Sequence, residues 1–298
     1  MSKPIKTLLI LGCGYVGSKL AQACLAKGIN IKATVRHQEA ADAFNHRGIH
    51  AVVQHNPAFL DSEWLADCDA VLDSIPLSYA EQRQPFETQS SWVKPLIEKL
   101  PALKWAGYLS ATSVYADSGG HWIDERNTNF STSSRGVKRL QAEHTWLTSH
   151  APAEVFRLAG IYGDERNIVS KLMAGHYKTV AWQPAHYSNR IHVDDIVAAL
   201  MAAMQQPKRG RIINLSDDEP CPHVEYVCSL AGMIGAPQPI ILSPEEAGEQ
   251  MSAAYLSFFQ DNKRISNQKL HQDLLPQLKY PSFCDAVPIL LQHNKEQS

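Results

Sequence analysis

The sequence predicts an α/β fold, a doubly wound parallel sheet with a smaller, mixed C-terminal lobe, and two features predict it. The first half alternates short apolar runs with amphipathic helical stretches, the rhythm of a parallel sheet covered by helices on both faces. A glycine-rich turn joins the first run to the first helical stretch, which is where such folds take up phosphate.

The runs expected as strands are Thr7–Leu11, Ile31–Val35, Ala51–Val53, Ala70–Leu72, Tyr108–Leu109 and Val155–Leu158. Between them lie amphipathic stretches such as Val16 to Ala26 and Pro85 to Leu100, and right-handed crossovers are expected. After Ile161 the rhythm changes. A helix is expected from Asp194 or Asp195 to about Met204, capped by an aspartate and stopped near Pro207. A strand at Arg211–Leu215 and a helix around Val224–Ile234 follow. The last third is richer in Pro and Gln and reads as a smaller lobe in which helices dominate. The expected division is residues 1–160 for the sheet domain and 161–298 for that lobe.

Charge narrows the partners. With 28 basic and 30 acidic residues the net charge is −2, so the chain lacks the positive field that nucleic acid or an anionic membrane requires. Ile5–Leu11 is apolar but too short for a leader or a membrane span. A cytoplasmic protein acting on a small molecule is expected, as a monomer or a homodimer. The six cysteines, Cys13, Cys24, Cys68, Cys221, Cys228 and Cys284, form no Cys-x-x-Cys pair. With the 13 histidines scattered as well, no metal site is expected.

The strongest local signal is Leu8-Leu9-Ile10-Leu11-Gly12-Cys13-Gly14-Tyr15-Val16-Gly17. G-x-G-x-x-G between a strand and a helix is the dinucleotide fingerprint of a Rossmann-type sheet. Gly12 permits the tight turn, Gly14 lets the backbone approach a pyrophosphate, and Gly17 lets the helix pack on the strand. The helix N-terminus then offers N–H groups and partial positive charge to the phosphates. The expected cofactor contacts are Gly12, Gly14, Tyr15, Val16, Gly17, Arg36, Ser74, Ile75 and Ser110. After the second strand the chain reads Val35-Arg36-His37-Gln38, with no carboxylate before Glu39. Arg36 suits the 2′-phosphate of NADP, with His37 beside it, so NADP is preferred over NAD; the alternative is a solvated arginine.

With these motifs the chain resembles the extended short-chain dehydrogenase/reductases, the NAD-dependent epimerase/dehydratase family. The resemblance covers nearly the whole sequence. Besides the glycine turn it includes Leu109-Ser110-Ala111-Thr112-Ser113-Val114-Tyr115, the pair Asp124-Glu125, and Arg157-Leu158-Ala159-Gly160-Ile161-Tyr162-Gly163. Arg190-Ile191-His192-Val193-Asp194-Asp195 and Asn214-Leu215-Ser216-Asp217 complete it. The resemblance implies an oxidoreductase or epimerase, with the two domains interleaved along the chain.

It also implies a Ser/Thr, a Tyr and a Lys four residues after that Tyr as the catalytic set. Here the corresponding positions hold Ala111, Arg135 and Arg139. The pattern is similar to an atypical subgroup with Arg-Gly-x-x-Arg in this helix, which keeps the glycines and lacks the Tyr-x-x-x-Lys. Arginine stays protonated and cannot serve as a general base. Ser110, Thr112 or Ser113 could replace the hydroxyl, and Tyr115 could supply a proton, although Tyr115 also reads as a packed aromatic. Lys138 is a hundred degrees round the helix from Arg139.

Arg135 and Arg139 share a helical face and suit an anion, whether a substrate phosphate, a carboxylate or the cofactor pyrophosphate. Alternatively Arg139 pairs with Glu143 one turn on. Arg166 and Arg190 are further substrate-binding candidates, with a surface salt bridge as the other role for Arg166. His192, Asp194 and Asp195 fit helix capping better than acid–base chemistry. Two functions follow: an NAD(P)-dependent enzyme acting on a small, anionic or nucleotide-linked substrate, or a non-catalytic module that senses the dinucleotide.

Overall fold

The computed structural model describes residues 4–77 and 89–296. Seven strands form one sheet in the order Ile212–Leu215, Ala153–Leu158, Trp105–Ala111, Ala70–Asp73, Thr7–Leu11, Asn30–Val35 and His50–Val53. The five strands from Trp105–Ala111 to His50–Val53 pair in parallel. Thr7–Leu11 lies inside the sheet between Ala70–Asp73 and Asn30–Val35 and is buried at every position, which is why it reads as an unbroken apolar run rather than an alternating one. The strand expected at Tyr108–Leu109 is longer, Trp105–Ala111. Its first residue, Trp105, is fully buried because Glu154 accepts its indole N–H at 3.0 Å.

The chain divides into two compact units, neither of them one stretch of sequence. The first comprises Met1–Val114, Thr132–Arg157 and Ile196–Ile213, and the second Tyr115–Ser131, Leu158–Asp195 and Asn214–Ser298. A cut at residue 160 therefore runs through both.

In the first unit, helix Gln89–Glu98 and helix Ser134–Thr148 cover the sheet. Trp92 and Trp146 meet edge to face, 5.9 Å apart, over Leu9, Val71 and Ala106. Of the expected stretch Pro85 to Leu100, residues 85–88 lie outside the described residues. Helix Ser134–Thr148 is capped by Ser133, whose hydroxyl accepts from Gly136 N at 3.1 Å.

The second unit is mixed. It is built on two-stranded pairs: Gly160–Tyr162 with Arg190–His192, Lys178–Val180 with Ile240–Leu242, Tyr187–Ser188 with Cys221–Pro222, and Trp122–Ile123 with Arg264–Ile265. Its larger core gathers Tyr162, Leu172, Tyr226, Leu230 and Phe283. Helix His223–Ile234 stops at Gly235, whose φ of 68° is the left-handed closure that glycine permits.

The helix expected from Asp194 or Asp195 starts one residue earlier and spans Val193–Gln205. The expected aspartate cap is not what begins it. The His192 ring accepts from Asp194 N through Nδ1 at 3.1 Å. The Asp195 carboxylate instead accepts Lys279 N and Tyr280 N at 2.7 and 3.0 Å. Two backbone donors of a distant segment outcompete the local cap because they are otherwise unsatisfied at a buried site. Among the described residues no helix is long and apolar enough to cross a membrane, and no cluster of His, Cys, Asp or Glu could hold a metal.

Candidate functional site

The glycine turn leaves strand Thr7–Leu11 and opens helix Tyr15–Leu25. Thr34, near the end of the neighbouring strand, holds it from below: Gly12 N donates to Thr34 Oγ1 and Cys13 N to Thr34 O, each at 2.9 Å. The three glycines have different physical reasons. Gly12 has φ +70°, and a Cβ there would stand 3.2 Å from Ile75 Cα and 3.3 Å from Ile75 N. A Cβ at Gly17 would meet Ile10 Cγ2 at 3.0 Å, which is the close helix–strand packing expected of the third glycine.

Gly14 differs. Its φ of −101° is one that any residue adopts, and a Cβ there would meet only Gly12 O, at 3.8 Å. Nothing among the described residues requires a glycine at this position. It is also the N-cap of an eleven-residue helix and caps it with no side chain, so the N–H groups of the first turn face outward without an acceptor in the helix. Open space, exposed backbone and a helix N-terminus together fit a dinucleotide pyrophosphate.

The remaining expected contacts fall around this turn. Ser74 N donates to Leu11 O at 3.0 Å, bringing Ser74 and Ile75 alongside Gly12. Arg36 and His37 are exposed where strand Asn30–Val35 ends. The sequence reading did not single out Arg47, an exposed cation that acts electrostatically on Cys13 within the turn. Burial dominates that thiol and pushes it up to about 12, so Cys13 is a packed, unreactive residue.

At the end of the next strand the hydroxyl of Ser110 is engaged. It donates to Glu143 Oε1 at 2.5 Å. Glu143 is gripped by Arg157 through Nε at 3.0 Å and Nη2 at 2.7 Å, all three residues being almost wholly buried. The alternative pairing of Arg139 with Glu143 is not formed. Arg139 reaches Leu109 O through Nη1 at 3.4 Å, while its Nε is shielded from water and makes no hydrogen bond with the described residues. Arg135, one turn earlier, is exposed. Ala111, Thr112 and Ser113 are half-buried beyond Ser110.

Tyr115 is a packed aromatic. Its ring stacks on Phe130 with centroids 6.4 Å apart, and its hydroxyl donates to Asn214 Oδ1 at 2.8 Å. Arg166 is exposed in a tight turn closed by paired backbone bonds with Gly163. Arg190 is buried, lying 3.3 Å from the centre of the Tyr226 ring.

One titratable group beneath the sheet end was not anticipated. Asp73 is fully buried and burial raises its pKa to about 6, against hydrogen bonds from Trp146 Nε1, Ile75 N and Gln89 Nε2 at 2.9, 3.0 and 3.2 Å. Tyr108, in the adjoining strand, is likewise pushed above the usual phenol range by burial. Arg139 lies within electrostatic reach of both.

No family model matches the sequence. Among curated relatives, protein YeeZ of Escherichia coli K12 is 27% identical over 255 residues, covering 82% of this chain and 90% of YeeZ. A Stigmatella aurantiaca enzyme, 4-hydroxy-2-methyl-3-oxo-4-farnesyl-3,4-dihydroquinoline-1-oxide ketoreductase, is 24% identical over 96% of this chain and 86% of its own length. Among solved structures, a functionally unknown conserved protein from Silicibacter pomeroyi is 30% identical, with a TM-score of 0.83 over 96% of this chain and 98% of that one. The dTDP-glucose 4,6-dehydratase of Bacillus anthracis, in complex with NAD, has a TM-score of 0.77 at 16% identity over 98% and 97%. The human epimerase family protein SDR39U1 with NADPH has a TM-score of 0.75 at 14% identity over 96% and 99%.

Proposed function

We propose that the chain is an NAD(P)-dependent reductase or epimerase of the extended short-chain dehydrogenase/reductase type, with altered proton-handling groups. Gly14 carries the dinucleotide reading: it is a glycine with no internal reason, at an uncapped helix start, with open space before it. A bound dinucleotide supplies hydride chemistry. Around it Gly12 to Gly17 receive the pyrophosphate, and Ser74 and Ile75 border the turn.

The reading of NADP over NAD rests on Arg36 at the strand end and on Arg47 as a second cation near the turn. NADPH is expected to bind more tightly than NADH, and Arg36→Ala to narrow the difference by about 1.5–3 kcal/mol, the value of a charge-assisted hydrogen bond. Calorimetric titration with both dinucleotides checks this, and equal affinities for the wild-type protein would remove the argument.

The Stigmatella ketoreductase, aligned along nearly the whole chain, favours reduction over epimerisation. The proton relay has to differ from the family pattern. Ala111, Arg135 and Arg139 hold its three positions, Ser110 is committed to Glu143, and Tyr115 to Asn214. A fixed cation at Arg135 contributes uniform binding of an anionic group, so Arg135→Ala is expected to raise KM more than it lowers kcat. Restoring Ser, Tyr and Lys together at 111, 135 and 139 is not expected to improve the native reaction. Steady-state kinetics from pH 5 to pH 10 decides both points, and a gain in kcat from the triple replacement counts against them.

The same engaged side chains support a second reading, a dinucleotide sensor without turnover. Tight NADPH binding with no oxidation of NADPH by carbonyl compounds selects it.

A further inference from the structure

Strand Ala70–Asp73 ends on a carboxylate that three separate segments grip. Asp73 is wholly buried; Ile75 N donates to its Oδ1, while Gln89 Nε2 and Trp146 Nε1 donate to its Oδ2. Gln89 opens helix Gln89–Glu98, and Trp146 lies in helix Ser134–Thr148. Ile75 is the partner that matters for the glycine turn. Its Cγ1, Cα and N are so near Gly12 that a Cβ there would stand 3.0, 3.2 and 3.3 Å from them. Asp73 thus fixes the residue that walls the turn.

A carboxylate is more than this corner needs for folding. An asparagine oxygen would accept Ile75 N as well, without a charge to be desolvated. Burial resists that charge here: it raises Asp73 to about 6, outweighing the three hydrogen bonds and the influence of Arg139. The groups facing Asp73 from each packed element are few. Tyr108 stands beside it in the neighbouring strand and stays neutral, held above the phenol range by burial. The strand on its other side presents the apolar Leu11. Helix Gln89–Glu98 presents the neutral Gln89, and helix Ser134–Thr148 presents Trp146 and the charge of Arg139. A buried titratable group kept at a local cost to stability is characteristic of functional sites.

We propose that Asp73 is a positioning residue for the cofactor: its ionised carboxylate holds Ile75 against Gly12 and keeps the turn in the shape that receives the pyrophosphate. This role rests on the dinucleotide reading above. All three partners of Asp73 are N–H donors, so protonation has a defined effect. Whichever oxygen takes the proton, Ile75 N loses either its acceptor or the charge that strengthens the bond. Stability responds with the opposite sign. Because Asp73 is raised in the folded state, its contribution to stability is full below about pH 4 and is lost as pH rises through 6. Acidification therefore favours the fold at this residue while it loosens the turn. Charge repulsion alone would act the other way on affinity, since neutralising Asp73 would help an anion to bind.

The test uses the full chain and NADP+, with Asp73→Asn as the isosteric, uncharged comparison. Calorimetry gives the dissociation constants from pH 5 to pH 8. The 2′-phosphate of the ligand and the exposed His37 are common to both proteins, so the ratio of the two constants isolates Asp73. The wild type is expected to bind about three- to tenfold more tightly than Asp73→Asn at pH 8, as weakening of one hydrogen bond predicts. The ratio is expected to approach one at pH 5. The Tm of Asp73→Asn at pH 8 is expected to equal or exceed that of the wild type, which a merely structural role would not allow. Hydrogen exchange of the unliganded wild type needs no variant: protection of the Ile75 amide, corrected for its intrinsic rate, is expected to fall at least about threefold from pH 8 to pH 5. A ratio independent of pH, a ratio that moves in favour of the wild type as pH falls, or constant protection at Ile75 would each overturn the role while leaving the dinucleotide reading intact. No NADP+ binding by the wild type at any pH would instead overturn that reading, and this role with it.

Discussion

Replacing Gly14 by alanine is expected to leave the protein folded and to cost it at least tenfold in dinucleotide affinity, about 1.4 kcal/mol or more. The added methyl meets only Gly12 O at 3.8 Å and the backbone is already in a region open to any residue. Stability should therefore change by less than about 1 kcal/mol, the range of an N-cap substitution. What the methyl does occupy is the space through which a pyrophosphate reaches the helix N-terminus. Gly12→Ala is the control. Its φ of +70° and the Ile75 backbone 3.2–3.3 Å away make that change destabilising by about 1–3 kcal/mol. Urea unfolding and NADPH titration of the two variants separate a folding glycine from a binding glycine. Equal affinity in Gly14→Ala and wild type would sink the cofactor site.

The second large effect lies in the buried carboxylate beneath Ser110. Glu143→Ala is expected to destabilise the protein by about 3–5 kcal/mol, because it strands the Arg157 guanidinium in the interior. Both side chains of the pair are only 3% exposed, so water cannot compensate. Replacing the two together, Glu143→Leu with Arg157→Leu, should recover much of that loss, since no charge remains to be desolvated. Denaturant unfolding of the single and double variants gives the comparison. A loss below about 1 kcal/mol in Glu143→Ala would place the pair with exposed ones, such as Lys32 and Asp67, whose carboxylate is 56% exposed.

That pair also marks where sequence reading stops. The glycine turn and the buried strands were legible because their signals are local: spacing and an apolar run. Arg139 and Glu143 also have a local signal, the four-residue helical spacing, and here it misleads. Arg157, fourteen residues away on a strand, takes Glu143 because burial makes a bidentate pair there far stronger than an exposed helical one. In the same way Asp195 serves the Lys279 and Tyr280 backbone rather than its own helix. Asp73 went unremarked because a strand-end carboxylate is ordinary in sequence; its enclosure by Trp146 and Gln89 is what sets it apart.

The division of the chain has a consequence for its synthesis. The polypeptide changes unit after Val114, Ser131, Arg157, Asp195 and Ile213, and one edge strand of the sheet, Ile212–Leu215, is the last of its seven strands to be made. When residue 160 has left the ribosome, strand Ala153–Leu158 has no neighbour on its outer side. Until some fifty further residues emerge it is a bare edge of unpaired backbone, the kind of surface that recruits other nascent chains. Glu154 is then without Arg211 as well, the cation that closes over it at 2.5 Å in the finished sheet. A nascent chain stalled, or a gene truncated, at residue 160 thus yields an unfinished sheet rather than a domain.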